Sequence, residues 1–102
     1  LLDRNFNVKI ADFGFAAPIY GRDGSGFLTT NLGTPGYMAP EIHNGHAYQG
    51  EVVDLFAIGV ILFILYSGHP PFCIAGTNDP YFKLLANNRA DIFWREHSKS
   101  HP

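Results

Sequence analysis

Two short segments carry the residues whose types and spacing could do chemistry. Asp12-Phe13-Gly14 closes a strand-like run, and Gly33-Thr34-Pro35-Gly36-Tyr37-Met38-Ala39-Pro40-Glu41 follows a polar, glycine-rich stretch holding Thr29 and Thr30. Taken singly, each group has an ordinary reading. Asp12 is a turn-forming acid at a strand end, Glu41 a surface carboxylate at a helix start, and Thr30 a solvated loop hydroxyl. The five histidines include His43 and His46 three apart and His97 and His101 four apart, but no cysteine cluster accompanies them and no zinc site is expected. Cys73 is the only cysteine, so no internal disulfide can form, and a reducing, intracellular setting such as the cytoplasm is expected.

The elements that must position these groups follow from pattern. Phe6, Val8 and Ile10 alternate with Asn7 and Lys9 as in a half-buried strand, and Asp3-Arg4-Asn5 is turn-forming. Leu1-Leu2 would pair across that turn, giving a short β-hairpin stub over residues 1–11. From Pro18 to Leu32 the pattern dissolves into Gly21, Asp23-Gly24 and Ser25-Gly26, a loop with a possible tight turn. Ala39 to Ile42 reads as a short helix that tolerates Pro40 in its first turn.

A longer helix is expected over 51–68, opened by acidic Glu51 and Asp54 and stopped by Gly68 before Pro70-Pro71. It is apolar on nearly every face, which predicts a buried central helix. Its uncharged run from Leu55 to Tyr66 falls short of the roughly 20 residues that span a bilayer, so no membrane role is expected. Asp79-Pro80 caps and opens an amphipathic helix over 79–88. Asp91 to Trp94 is apolar enough to pack, and the tail after His97 reads as loose.

With 46% apolar and 16% charged residues, the chain is globular rather than disordered, and rather hydrophobic for 102 residues. A net charge of −2 gives no reason to expect nucleic acid. Lys83, Arg89, Arg95 and Lys99 are scattered and read as a solvated face. Leu1 is not an initiator Met and Ser100-His101-Pro102 closes no element, so both ends are read as cuts in a longer chain.

In order along the chain, the motifs resemble those of protein kinases. Asp-Phe-Gly after a strand is the start of that family's activation segment, and Gly33-Thr34-x-x-Tyr37-x-Ala39-Pro40-Glu41 resembles its substrate-docking loop and Ala-Pro-Glu close. Asp54-Leu55-Phe56-Ala57-Ile58-Gly59-Val60 is similar to the start of the central helix of the C-terminal lobe, with Phe56 in place of the usual Trp. Gly68-His69-Pro70-Pro71-Phe72 matches the stretch after that helix. The similarity covers Leu1 to Asn88 and is closest in flavour to the calcium/calmodulin-dependent and AMP-activated kinase group.

The resemblance implies a partial α+β protein-kinase-like fold, mainly a helical piece of the C-terminal lobe, with an activation segment over 12–41. It implies ATP and Mg²⁺ as cofactors and protein Ser/Thr side chains as substrate. In the family Asp12 would bind Mg²⁺, an oxygen-seeking cation, Phe13 would pack into the core, and Gly14 would let the backbone turn. Thr34 marks the Ser/Thr branch, where its hydroxyl meets a catalytic Asp and Lys from upstream. Glu41 would pair with a distant Arg of the lobe, Asp54 would hold the catalytic loop, and Gly59 belongs to the helix motif. Thr30, four residues before Thr34, falls where many such kinases carry an activating phosphothreonine, whose charge of about −1.5 to −2 orders the loop through an arginine that in the family precedes the catalytic Asp, outside these residues.

The sequence contains no His-Arg-Asp triplet and no Gly-x-Gly-x-x-Gly. The expectation is therefore a fragment of a Ser/Thr kinase, inactive by itself. The alternatives are a segment of a pseudokinase or scaffold, or a truncated non-catalytic product.

Overall fold

The computed structural model describes residues 1–100. The order along the chain is a 3₁₀ turn at Phe13–Phe15, a second at Pro35–Tyr37, then helices α1 (Pro40–His43), α2 (Gly50–Ser67), α3 (Pro80–Ala86) and α4 (Ala90–Ser100). The Cα radius of gyration is 15.5 Å with a thinnest extent of 16 Å, against about 13 Å for a compact hundred-residue domain. The molecule is thus a slab, and a slab leaves each helix covered on one side only.

Two small apolar clusters hold it. Met38, Ala39, Ile42, Tyr48 and Val53 form the first, and Val60, Phe72 and Ala75 the second. Phe56 packs against both and stacks on Phe72 at a centroid distance of 6.0 Å. Phe56 is thus the aromatic bridge between the two halves.

Helix α2 stops as its sequence dictates. Gly68 adopts φ 81° and its N–H bonds the Ile64 carbonyl at 2.8 Å, a left-handed closure that a Cβ would strain. Its burial is corrected: only Val53 and Val60 of the expected buried helix are buried, while Leu55, Leu62, Leu65 and Tyr66 face solvent. The cause is geometric, because a helix apolar all round needs neighbours on every side and this slab supplies them on one. Asp54 also falls beyond the first turn, which contains Glu51 alone among the acids. The folded helix is 18 residues long with mean hydropathy 1.9, enough by length and composition to cross a bilayer, which the shorter run Leu55 to Tyr66 is not.

The expected hairpin over residues 1–11 reduces to one antiparallel bridge, Leu2 to Val8. Asp3 closes the turn by accepting the Asn5 and Asn7 backbone N–H groups at 2.9 and 2.8 Å, and the Asn7 backbone and side-chain bonds hold its carboxyl below the ordinary value. The turn forms, but Phe6, Val8 and Ile10 have no sheet or helix beneath them and stay exposed, so pairing does not propagate.

Helix α3 runs Pro80–Ala86 within the expected 79–88. Its N-cap does more than cap. Asp79 Oδ1 accepts the Tyr81 and Phe82 amides at 3.0 and 3.1 Å, and Oδ2 accepts those of Cys73 and Ile74 at 2.8 and 3.2 Å. One buried carboxylate therefore fixes the loop after α2 to the start of α3. The tail read as loose is instead helical through Ser100, because His97 is buried, with Nε2 at 2.8 Å from the Pro71 carbonyl oxygen and its ring 4.3 Å from that of Tyr81. His101, which spacing paired with His97, lies outside the described residues.

Candidate functional site

The Gly33–Glu41 segment is held from both sides. Met38 and Ala39 are buried in the first cluster. Thr34 precedes the Pro35–Tyr37 turn, its side chain capping nothing, and the Tyr37 N–H bonds the Thr34 carbonyl at 3.0 Å. His43 Nε2 lies 3.2 Å from the Pro35 carbonyl oxygen. The segment also rests on α2 through that turn. An apolar pair between two prolines thus locks a loop whose polar groups remain outward.

The preceding loop is tied to this body at its C-terminal end. Leu28 and Tyr48 exchange backbone hydrogen bonds of 2.7 and 2.9 Å. The Tyr48 hydroxyl donates to the Thr30 carbonyl oxygen, and the Asn31 side-chain amide donates to the Ile42 carbonyl oxygen at 2.9 Å. Thr30 therefore has an anchored backbone and an exposed side chain.

A cavity of about 240 Å³ opens between these parts, and Thr30, Thr34 and Asp54 all line it, together with Arg22. Residues far apart in the sequence, from the glycine-rich loop, the Gly33–Glu41 segment and α2, thus border one cavity. Arg22 went unremarked in the sequence, because a lone cation inside a glycine-rich loop carries no periodic signal. Tyr48 and Asn31 went unremarked too, since their bonds to the loop are long-range and leave no local spacing.

Asp12 stands apart. It takes a left-handed backbone, φ 60° and ψ 71°, ahead of the Phe13–Phe15 turn, and its side chain makes no capping bond. The sharp turn expected of Gly14 is thus made by Asp12, while Gly14 is absent from the positive-φ positions and a Cβ there would sit 3.5 Å from Asp12 Oδ1. Phe13, expected in the core, is 69% exposed, for the physical reason that no apolar surface of the chain folds over it.

Glu41 lies in the first turn of α1, its backbone carbonyl accepting from the His46 N–H at 3.0 Å. Among the described residues no arginine pairs with its carboxylate, and Arg89 pairs instead with Asp91 at 3.3 Å. Gly59 meets no close neighbour, since a Cβ there would find nothing within 4 Å. The structure therefore gathers Thr30, Thr34 and Asp54, and leaves Asp12, Glu41 and Gly59 outside that cavity.

One carboxylate with free, exposed oxygens is a fitting donor for Mg²⁺, which commonly keeps several waters and takes one or two protein carboxylates beside phosphate oxygens. Among the described residues no group of three or more His, Cys, Asp or Glu side chains is assembled for a metal.

The family model described as "Protein kinase domain" matches residues 1–101. Serine/threonine-protein kinase 33 of Mus musculus is 41% identical over 83 residues, which is 81% of this chain and 16% of that protein. CBL-interacting protein kinase 2 of Oryza sativa subsp. japonica is 43% identical over 84 residues, 82% of this chain and 19% of that protein. CBL-interacting serine/threonine-protein kinase 26 of Arabidopsis thaliana is 43% identical over 86 residues, 84% of this chain and 20% of that protein. The chain thus spans between 16% and 20% of the length of these three curated relatives. An anchored Gly-Thr-x-x-Tyr-x-Ala-Pro-Glu segment after Asp-Phe-Gly, a match over nearly every residue and relatives that are serine/threonine kinases agree: this chain belongs to the protein kinase domain family, on its serine/threonine branch.

Proposed function

We propose that this segment serves a catalytic domain that transfers the γ-phosphate of ATP to Ser or Thr hydroxyls of proteins. The cavity that joins Thr30, Thr34 and Asp54 beside the locked Gly33–Glu41 segment supports this most directly. Phosphoryl transfer depends on positioning and charge neutralisation more than on covalent help from the protein. Asp12 would hold Mg²⁺, which when bound neutralises charge on the nucleotide phosphates. The exposed Asp12 oxygens offer a hard ligand at the end of an extended run. The Gly33–Glu41 segment presents substrate, and the Thr34 hydroxyl, bound to no cap, is available to the catalytic Asp and Lys of the same domain. Asp54 faces the same cavity and is placed to accept hydrogen bonds from a catalytic loop.

Thr30 is the site at which phosphate would order the loop. Its carbonyl is pinned by Tyr48, so the added charge would act from an anchored backbone, with Arg22 a cation that this chain contributes to the border of the same cavity. The exposed face of α2 is, on this reading, covered by other parts of the complete domain. Glu41 would find its arginine there as well, and Gly59 its close neighbour.

Activity then belongs to the complete domain, and the 102 residues alone transfer no phosphate. The test is phosphorylation of a Ser/Thr peptide by the full-length protein. Asp12→Asn should lower turnover about 10²- to 10³-fold, the scale of losing one preorganised charge-stabilising group. Full turnover by that variant, or by the isolated 102 residues, would sink the assignment. Thr30→Ala should lower turnover several-fold while leaving ATP binding intact; unchanged turnover dismisses Thr30 as the activating site.

A further inference from the structure

The stretch Leu28–Asn31 runs just ahead of Gly33–Glu41 and belongs to no helix, yet it is fastened to α1 and to the loop that follows α1. We propose that Asn31 and Tyr48 are positioning residues for phosphoryl transfer, a clasp that sets where the Gly33–Glu41 segment presents the protein substrate. This rests on the reading of Gly33–Glu41 as the segment that presents substrate.

Tyr48 holds the stretch through backbone, ring and hydroxyl at once. Its N–H and carbonyl exchange hydrogen bonds of 2.9 and 2.7 Å with Leu28. Its ring is buried in the cluster of Met38, Ala39, Ile42 and Val53. Its hydroxyl donates to the Thr30 carbonyl oxygen. Tyrosine suits this place because an apolar ring can be buried while the tip still donates. Phenylalanine there would keep the ring in the cluster and leave the Thr30 carbonyl without that donor.

Asn31 makes the second fastening. Its side-chain amide donates to the Ile42 carbonyl oxygen at 2.9 Å, the same oxygen that accepts the Gly45 N–H at 3.1 Å. Asn31 stands outside the cavity shared by Thr30, Thr34 and Asp54, so it acts through the backbone it holds. Leu28 closes the clasp toward α2, since a Cβ on Gly50 would stand 3.4 Å from Leu28 Cδ1.

The consequence falls on Thr34. The chain is fastened at Thr30 and Asn31 on one side and by buried Met38 and Ala39 on the other. Thr34 lies in the short span between these anchors and its side chain caps nothing, so its place is set by the two ends. Gly33, at φ 129°, lets the chain change direction within that span. A misplacement of about 1 Å caused far from the chemistry can cost about 10²-fold in rate. Bonds that hold only backbone can therefore register in the kinetics.

The test is peptide phosphorylation by the full-length protein carrying Tyr48→Phe or Asn31→Leu, each of which deletes one hydrogen bond and keeps the side chain's bulk. Each variant should raise the peptide KM about fivefold, the scale of one lost neutral hydrogen bond, while the KM for ATP stays at its wild-type value. Asn31→Asp turns the donor facing the Ile42 carbonyl into an acceptor and should raise the peptide KM further than Asn31→Leu. A residue that merely stabilised the fold would lower the melting temperature and the active fraction, hence kcat, and leave both KM values alone. Asn31 is exposed, so its variants keep the test alive should Tyr48→Phe fail to fold. An unchanged peptide KM in the Asn31 variants, a loss confined to kcat, or equal rises in the peptide and ATP values overturns the clasp while the kinase assignment stands. No phosphorylation of any peptide by the wild-type protein overturns both.

Discussion

Two regions of the chain, Leu28–Val53 and Leu1–Tyr20, are built on different terms. From Leu28 to Val53 the chain supplies its own support: a buried Met-Ala pair, a Tyr48 hydroxyl on the Thr30 carbonyl, and a side-chain amide on the end of α1. From Leu1 to Tyr20 the backbone turns are satisfied locally, yet Phe6, Val8, Ile10, Phe13 and Phe15 all lie open to water. The contrast teaches that the Leu28–Val53 region is self-supporting, whereas the Asp12 region keeps its turn but leaves its apolar side chains open.

That contrast can be broken or sharpened by truncation, with local opening energies read from amide hydrogen exchange along the 102-residue chain. Ile42→Ala, in the first cluster, should cost about 2–5 kcal/mol, the range for a large-to-small core change, and should strip protection from the hydrogen-bonded amides of Met38, Ile42 and Val53. Protection left unchanged would mean that the first cluster is no core at all. Asp79→Ala should cost about 2 kcal/mol, combining a lost N-cap with amides left unpaired at Cys73 and Ile74. Its effect should appear in α3 and the loop before it, not around Ile42. Phe13→Ala should change exchange by less than about 0.5 kcal/mol anywhere, as for exposed positions generally. A larger loss would show that the Asp12 end is packed after all, and the contrast would collapse.

What the sequence made legible follows from how far each signal reaches. The stop of α2 at Gly68 and the cap of α3 at Asp79 were plain, because both rest on a backbone conformation or a side chain acting within a few residues. The order of the motifs was plain for the same reason. The helical course of the chain past His97 was not, since it depends on Pro71, Tyr81 and His69 meeting that imidazole across the fold. Nor was the exposure of α2: an apolar run states that a helix wants neighbours, not whether the chain provides them. Within the candidate site, Thr30, Thr34 and Asp54 follow from the resemblance of their motifs, while Arg22 enters only through the folded cavity that it lines. The placement of Phe13 differed because its burial needs surface that no local pattern encodes.

The mirror-image twist carried at position 12 has its own consequence for experiments. With φ at 60°, that residue occupies a basin where asparagine and aspartate sit comfortably and branched side chains do not. Swapping acid for amide there removes charge while sparing the bend, whereas swapping in valine would disturb both. A panel of replacements at this one site can therefore separate what electrostatics contributes from what chain direction contributes.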